Sequence, residues 1–379
     1  MLGYEIIFWG SVGLILYTYA GYPLILIAWS KLAPRPVKKE PMTPSVSLVI
    51  CAYNEAQVIH KKLKNCLALD YPKDKLEIIV ASDGSTDETD KIVKQFSSKG
   101  IKLLRPSFER AGKALALSEA VPKAKGEIVV FSDARQMFDH NVVRELVANF
   151  ADPQVGAVSG ELYLDQFSPT RLGEGVALYW NYEKLIRKLE SKIDSVVGVT
   201  GAIYAIRKSL FESLSAETIL DDLVIPMRIV MRGYRVVFEP RAKAHDRASA
   251  SLKEEWVRKV RTLAGNYQSL YQMPETLNPL KNRLFFQFIS HKSCRVLVPF
   301  AMIGALIANL FLRENLYLIT LITQGVVYML GILGFLLRRE SKSFRLFLIP
   351  QTLLVLNASA LVGLVQFLKG RPADFWRKV

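Results

Sequence analysis

Short apolar runs broken by compact polar clusters give the middle of this chain its character. Val46–Ala52 and Leu76–Ala81 are rich in Val and Ile and have the length of buried parallel strands. The first ends in Tyr53-Asn54-Glu55 and the second in the cluster 82–87 (SDGSTD). Between them, Ala56–Leu69 carries Val58, Leu63 and Leu67 at helical spacing, so the segment predicts a strand–helix–strand unit. In open α/β sheets, ligands collect at the carboxyl ends of such strands.

The alternation continues. Thr86–Phe96 predicts a helix with acids in its first turn, Ile101–Leu104 a strand, Ala111–Ala120 a helix, and Ile128–Ser132 a strand ending in Asp133-Ala134-Arg135. A helix over 141–150 and strands near 155–159 and 161–164 follow. Helix 172–190, a strand-like run over 198–206, and a helix–Gly233–strand segment complete a mixed second half. Ser251–Tyr271 predicts a helix with Trp256, Val257, Val260 and Leu263 on one side, and its basic residues face either a membrane surface or the site. The expected fold class is α/β: a mainly parallel sheet with helices on both faces.

The two ends of the chain differ from the middle. Residues 4–29 form an apolar span of membrane-crossing length, followed and not preceded by Lys31, Arg35, Lys38 and Lys39. That charge order, with no small-residue cleavage site, predicts an uncleaved anchor with the following domain in the cytoplasm. Three further spans are expected at 296–312, 316–337 and 346–368. The expected organisation is an anchor over 1–32, a Pro/Lys-rich linker over 33–44, a catalytic domain over 45–272 and a membrane region over 273–379. Three crossings place the tail outside, yet Lys369, Arg371, Arg377 and Lys378 make it basic; either one span is re-entrant or the charge rule fails there.

Composition changes this picture little. Half the residues are apolar and the formal net charge is +15. Because the apolar residues gather at the ends, the charge fits the anionic inner face of a membrane; no basic-aromatic module argues for nucleic acid. Cys51, Cys66 and Cys294 have no metal-ligand spacing and are expected to be buried free thiols.

Acids at strand ends are the candidate chemistry. Asp83, Asp133 and the pair Asp221-Asp222 each end or follow an apolar run, where unpaired burial is costly. Asp83 and Asp133 taken singly serve equally well as caps of the next helix. Several such acids converging on one sheet edge predict a binding site.

Here the chain resembles the family 2 glycosyltransferases. The resemblance rests on AYNE at 52–55, SDGSTD at 82–87, GK at 112–113, Asp133 after a strand, GA at 201–202 and LDDL at 220–223, in that order. It covers about residues 45–270, and the flanking spans resemble the membrane-bound branch containing cellulose, chitin, hyaluronan and poly-N-acetylglucosamine synthases. The fold implied is GT-A-like. The resemblance implies that Tyr53, Asn54, Glu55 and Asp83 hold the uracil and ribose of a UDP-sugar, and that Lys113 approaches the nucleotide or its phosphates. It implies that Asp133 binds a divalent ion, Mg²⁺ or Mn²⁺, and that Asp222 is the general base of an inverting displacement. Asp221 would support the acceptor or the base, and Asp221, Gly201, Arg258 and Arg261 would lie at the acceptor or the diphosphate.

Two positions depart from the family pattern. Arg135 stands where the second acid of Asp-x-Asp belongs, and a guanidinium cannot ligate a metal. His245 is a candidate replacement ligand, with a surface role as the alternative. Thr262 stands where the synthases' arginine motif carries a stacking Trp, leaving Tyr267 and Trp256 as candidate aromatic surfaces. The expectation is a multi-pass inner-membrane glycosyltransferase of an envelope pathway, active on the cytoplasmic side. Its partners would be a nucleotide-sugar, a saccharide or lipid-linked acceptor, the bilayer and membrane subunits, with no nucleic acid. The rival readings are a single-transfer enzyme acting on a lipid, and a catalytically dead nucleotide-binding membrane subunit. The shortage of ionisable residues in the spans disfavours a transporter.

Overall fold

The computed structural model describes residues 1–106, 112–164, 171–246, 252–336 and 345–370. Ala111, Ser251 and the tail residues Arg371, Arg377 and Lys378 lie outside them. The strands are β1 (Val46–Ala52), β2 (Leu76–Ser82), β3 (Ile101–Leu104), β4 (Ile128–Asp133), β5 (Met137–Phe138), β6 (Val155–Leu164), β7 (Ile203–Arg207) and β8 (Arg235–Asp246). They join in one sheet of order β3-β2-β1-β4-β7-β6-β8-β5. The pairs β3–β2, β2–β1, β1–β4 and β6–β8 run parallel, whereas β7 runs antiparallel to both neighbours and β5 antiparallel to β8. The sheet is therefore mixed, with its parallel character concentrated in the first half.

The helices, in order, are α1 (Leu2–Leu16), α2 (Tyr22–Leu32), α3 (Ala56–Leu67), α4 (Thr89–Gln95), α5 (Lys113–Lys123), α6 (Val142–Val147), α7 (Arg171–Ile193), α8 (Asp221–Met231), α9 (Leu252–Gln272), α10 (Phe285–Phe288), α11 (Cys294–Phe311), α12 (Asn315–Leu336) and α13 (Arg345–Leu368). Period-two alternation sorts the strand residues between two cores. Leu48, Ile50, Val80 and Val130 pack with Ile59 and Leu63 of α3, Val93 of α4 and Leu146 of α6. Val49, Ile79, Val129 and Phe131 pack on the other face with Leu117 of α5 and Leu223 and Met227 of α8. Both faces being covered is why these strands are apolar throughout.

Local chemistry shifts several boundaries from expectation. The buried stripe of α3 is Ile59, Lys62, Leu63 and Cys66; of the expected Val58, Leu63 and Leu67, Leu63 is at its centre and the other two lie partly buried at its edges. Lys62 is fully buried because its ammonium donates to Gln136 O at 2.6 Å and lies 3.8 Å above the Phe138 ring. The expected helix at Thr86 starts at Thr89, because the amides of Thr86 and Asp87 are held by Asn54 Oδ1 at 2.8 and 3.4 Å. The expected strand over 198–206 begins only at Ile203; Gly198, with φ +85°, belongs to a loop. Gly233, at φ +90°, ends α8 and turns the chain into β8, as its place after the apolar helix predicts.

Among the described residues, four segments are long and apolar enough to cross a membrane: Leu2–Leu32, Phe285–Phe311, Asn315–Gly334 and Leu346–Leu368. The first bends through a π-turn at Tyr17–Gly21, so α1 packs along α11 while α2 packs along α7. A second π-turn, Ile289–Ser293, leads into α11. Such turns mark functional positions more often than plain helix does. The three cysteines are free thiols; Cys66 and Cys294 are buried and Cys51 partly so.

Candidate active site at the carboxyl ends of the strands

Parallel register brings the ends of β2, β1 and β4 level, pairing Ala52 with Ser82 and Cys51 with Asp133. Asp83 follows β2 and is buried, accepting the Gly112 amide with both carboxylate oxygens at 3.0 Å. Gly112 is the residue before α5, so Asp83 fixes where Lys113 starts its helix. Lys113 in turn lies between two other acids. Its Nζ stands 3.0 Å from Asp133 Oδ1, 3.3 Å from Asp221 Oδ2 and 3.4 Å from Gly201 O.

The electrostatics follow from this placement. Burial lowers the Lys113 pKa, but Asp133 and Asp221 outweigh that effect and raise it above the usual lysine range. Asp221 is buried, and its pKa is pushed up to about 6 by burial against the pull of Lys113, with Asp222 and Asp133 adding repulsion. Tyr204 extends its hydroxyl to 3.5 Å from Asp221 Oδ2 and stacks on Phe131 at 4.4 Å.

Asp222 is the neighbouring acid and points elsewhere. A Cβ built on Gly201 would stand 2.9 Å from Asp222 Oδ2, so glycine lets the 198–201 loop lie against this carboxylate without displacing it. The Val199 amide donates to Asp222 O at 2.8 Å, closing the same loop onto the start of α8. Helix α9 braces that start: Gln268 accepts from the Ile219 amide at 2.9 Å and donates to Glu217 O at 2.8 Å.

The loop after β1 meets the loop after β2. Asn54 has φ +51°, the one positive value for a non-glycine among the described residues. Its amide N–H donates to Ser85 Oγ at 3.1 Å, and the Glu55 amide donates to Thr89 Oγ1 at 2.8 Å. Asn54 thus pins the two loops together, a role the sequence reading did not give it. Tyr53 and Glu55 flank it, both partly exposed.

Thus Tyr53, Asn54, Glu55, Asp83, Lys113, Asp133, Gly201, Asp221 and Asp222 gather at one end of the sheet. The remaining candidates sit otherwise. Arg258 is engaged by Glu255 one turn back, and Arg261 is partly buried further along α9. Thr262 bonds back to Arg258 O at 3.0 Å, and Tyr267 donates to Val296 O at 3.2 Å and stacks on Phe367. Tyr267 is therefore packing against α11 and α13, which removes it as an acceptor platform. His245 faces Asp139 Oδ1 at 2.8 Å and Tyr163, on the opposite side of β8 from Asp246.

Asp246 escaped the sequence reading. It is buried at the end of β8 and accepts from Gln136 Nε2 at 2.7 Å and Arg135 Nη2 at 3.3 Å. The basic residues Arg241 and Lys243 break the apolar pattern before it, so it carries none of the signal that marked Asp133. Among the described residues no three His, Cys, Asp or Glu side chains come close enough to cage a metal ion. Asp133 remains 40% exposed at its side chain, open to a ligand that brings its own oxygens.

Residues 47–215 match the domain described as Glycosyl transferase family 2. The chain carries a family 2 glycosyltransferase domain. It is 29% identical over 309 residues to "Probable glycosyltransferase YdaM" of Bacillus subtilis (strain 168), covering 78% of this chain and 72% of that protein. It is 27% identical over 255 residues to a poly-beta-1,6-N-acetyl-D-glucosamine synthase of Staphylococcus aureus (strain COL), covering 65% of this chain and 61% of the synthase. The fold is shared along 97% of this chain with the mannosyltransferase PcManGT from Pyrobaculum calidifontis, solved with GDP-Man and Mn²⁺, at a TM-score of 0.72 and 23% identity. The enzyme is a glycosyltransferase with a GT-A-like sheet and apolar helices at both ends.

Proposed function

We propose that the enzyme moves a sugar, with inversion at the anomeric carbon, from a UDP-sugar to a saccharide or lipid-linked saccharide. Transfer takes place at the cytoplasmic face of the inner membrane. The catalytic part is 45–272, with the anchor before it and the membrane region after it. One observation carries the reading: Lys113 is held between Asp133 and Asp221 while Asp222, one residue on, turns to the Gly201 loop. Adjacent carboxylates with different surroundings suit different roles.

In this reading Asp222 takes the proton of the acceptor hydroxyl as its oxygen attacks the anomeric carbon, and the nucleoside diphosphate leaves from the opposite face. Lys113 stands ready for the diphosphate, and Asp221 holds Lys113. Tyr53, Glu55 and Asp83 bind the nucleoside, with Asn54 fixing their loops. Arg258 and Arg261 serve the acceptor side.

Divalent ions of the Mg²⁺ type are commonly held by one or two carboxylates plus substrate phosphates, and a half-exposed Asp133 fits that need. Asp133 would hold the ion, which when bound offsets the diphosphate's charge; the Mn²⁺ of PcManGT supports this. The UDP part rests on the likeness of the 52–55 and 82–87 motifs to the synthases.

The test is nucleoside diphosphate release by the full chain in native membranes, over a panel of UDP-sugars with GDP-mannose alongside. We expect release from a UDP-sugar and a product of inverted configuration by NMR. Release from GDP-mannose alone overturns the UDP assignment, and retained configuration overturns the displacement.

A further inference from the structure

A second charged cluster lies where the membrane helices meet the catalytic part, and sugar transfer as described leaves it unused. Helix α7 carries Tyr179, Glu183, Arg187 and Glu190 at turn-by-turn spacing. His291, in the π-turn before α11, faces Glu190 Oε1 at 2.8 Å and Glu183 Oε1 at 3.0 Å. Arg295 donates to Glu183 Oε2 at 2.7 Å, and Tyr22 of α2 donates to Glu190 Oε1 at 2.6 Å.

The acids are saturated and the cations are not. Arg295 Nη2 is buried with no hydrogen-bond partner. Among the described residues Lys292 Nζ makes no hydrogen bond or ion pair, although the side chain is largely enclosed and feels the charges of Glu183, Arg187, Arg295 and Asp222. Lys259 of α9 lies 4.1 Å above the Tyr179 ring, with Glu255 3.8 Å from its Nζ. Burial lowers the Lys259 pKa to about 8 despite that acid. An enclosed cation without a partner is costly, so Lys292 beside the spare Nη2 of Arg295 is shaped for an anion.

Position narrows the class of anion. On its membrane side, α9 rests on α11 and α13 through Tyr267. Within the cluster, Arg187 of α7 donates to Thr200 Oγ1 at 2.8 Å, and the next residue, Gly201, abuts Asp222. An anion reaching these cations from the bilayer would thus stop one loop away from the general base. Inorganic phosphate offers the same oxygens but no reason for a site walled by membrane helices.

We propose that Lys292, Arg295 and Lys259 bind the phosphate of a lipid-linked acceptor, setting its sugar hydroxyl before Asp222. This rests on the glycosyl-transfer reading above. The acceptor oxygen bonds to the anomeric carbon as the bond from that carbon to the diphosphate oxygen breaks. Its proton goes to Asp222, and the bonding pair leaves with the nucleoside diphosphate. A neutral polysaccharide acceptor would leave Lys292 and the spare Nη2 of Arg295 unmet.

The full chain in neutral polyoxyethylene micelles is mixed with a long-chain polyprenyl phosphate, the matching polyprenol, or inorganic phosphate, and retained ligand is read by native mass spectrometry. The polyprenyl phosphate should be held at least ~10-fold more tightly than the polyprenol, about 1.4 kcal/mol. Lys292→Gln should lower that retention by about 10-fold, the scale of one charged hydrogen bond. Lys292→Arg should restore it, and the exposed, distant Lys99→Gln should leave it unchanged. Equal retention of phosphate and polyprenol by the wild type, or undiminished retention by a folded Lys292→Gln, overturns the proposal. Inorganic phosphate displacing the lipid at equal concentration overturns the lipid assignment. Nucleoside diphosphate release into water from the same sample separates the two readings. Release without lipid-phosphate retention sinks this proposal alone, and no release from any nucleotide sugar sinks the transfer reading.

Discussion

The two charged regions of this enzyme are unbalanced in opposite directions. At the strand ends, four acids gather with one ammonium: Asp133 and Asp221 hold Lys113, Asp83 takes the amide before it, and Asp222 lies against Gly201. At the membrane junction, Arg187, His291, Lys292, Arg295 and Lys259 gather around Glu183, Glu190 and Glu255. The first region is short of positive charge and suits a donor that arrives with a cation. The second is short of negative charge and suits an acceptor that brings an anion. Burial makes both imbalances consequential, since a charge removed from water must find a partner.

The largest expected effect breaks the first region at its base. Asp222→Asn should lower turnover by roughly 10²–10⁴-fold, the usual contribution of a general base, with nucleotide binding kept. Nucleoside diphosphate release and donor titration check this, and equal turnover removes Asp222 from its role. Lys113→Met should come next. It strips the cation from two carboxylates, one of them buried, and should destabilise the protein by ~3–5 kcal/mol, as breaking a buried pair does. The thermal midpoint in detergent reads it, and adding Asp221→Asn should return part of the loss.

Glu183→Gln sharpens the contrast by breaking the second region from its acid side. Burial would raise the Glu183 pKa, but Arg295, His291 and Arg187 hold its carboxyl well below the usual range. Removing that charge should cost about 3 kcal/mol and leave donor binding intact, measured by thermal midpoint and donor titration. A loss of donor affinity in Glu183→Gln would show the two regions to be one.

The pH effect is smaller. The folded pKa of Asp221, about 6, lies above the ordinary 3.8, so the native state holds this proton more tightly than the unfolded chain does. Its contribution to stability is full below about pH 4 and is lost as the pH rises through about 6. Asp221→Asn should flatten that part of the profile of thermal midpoint against pH. Smallest of all, Arg135→Asp places a second acid beside Asp133 and should lower, by a few-fold, the Mn²⁺ concentration giving half-maximal release. An unchanged metal requirement would show that Arg135 is not at the ion.

How much of this was legible along the chain varies with the range of the interactions. The β1–α3–β2 unit and the acids at its strand ends were readable, because a polar cluster after a short apolar run is a local signal. Lys113 was readable only as a cation near phosphate. Its pairing with Asp133 and Asp221 spans the sheet. The helical spacing of α3 was readable, with Leu63 in the core and Leu67 against it, but the inward turn of Lys62 was not, because Gln136 and Phe138, which make it possible, are remote in sequence. The run 198–206 looks like a strand by composition, yet half of it is loop. The reason is Gly201's contact with Asp222, and no local pattern encodes it.

By itself the sequence determined that strands and helices alternate in the middle of this chain, that bilayer-length helices bracket it, and which acids end the strands. These follow from periodicity and from the cost of burying polar groups, which act over a few residues. Only the tertiary structure decided that β7 enters the sheet antiparallel, that Lys113 is shared by two acids, and that His291 of a membrane-side turn meets Glu183 and Glu190 of a distant helix. Those outcomes depend on which charges meet once water is excluded, and that is fixed by packing between segments a hundred residues apart.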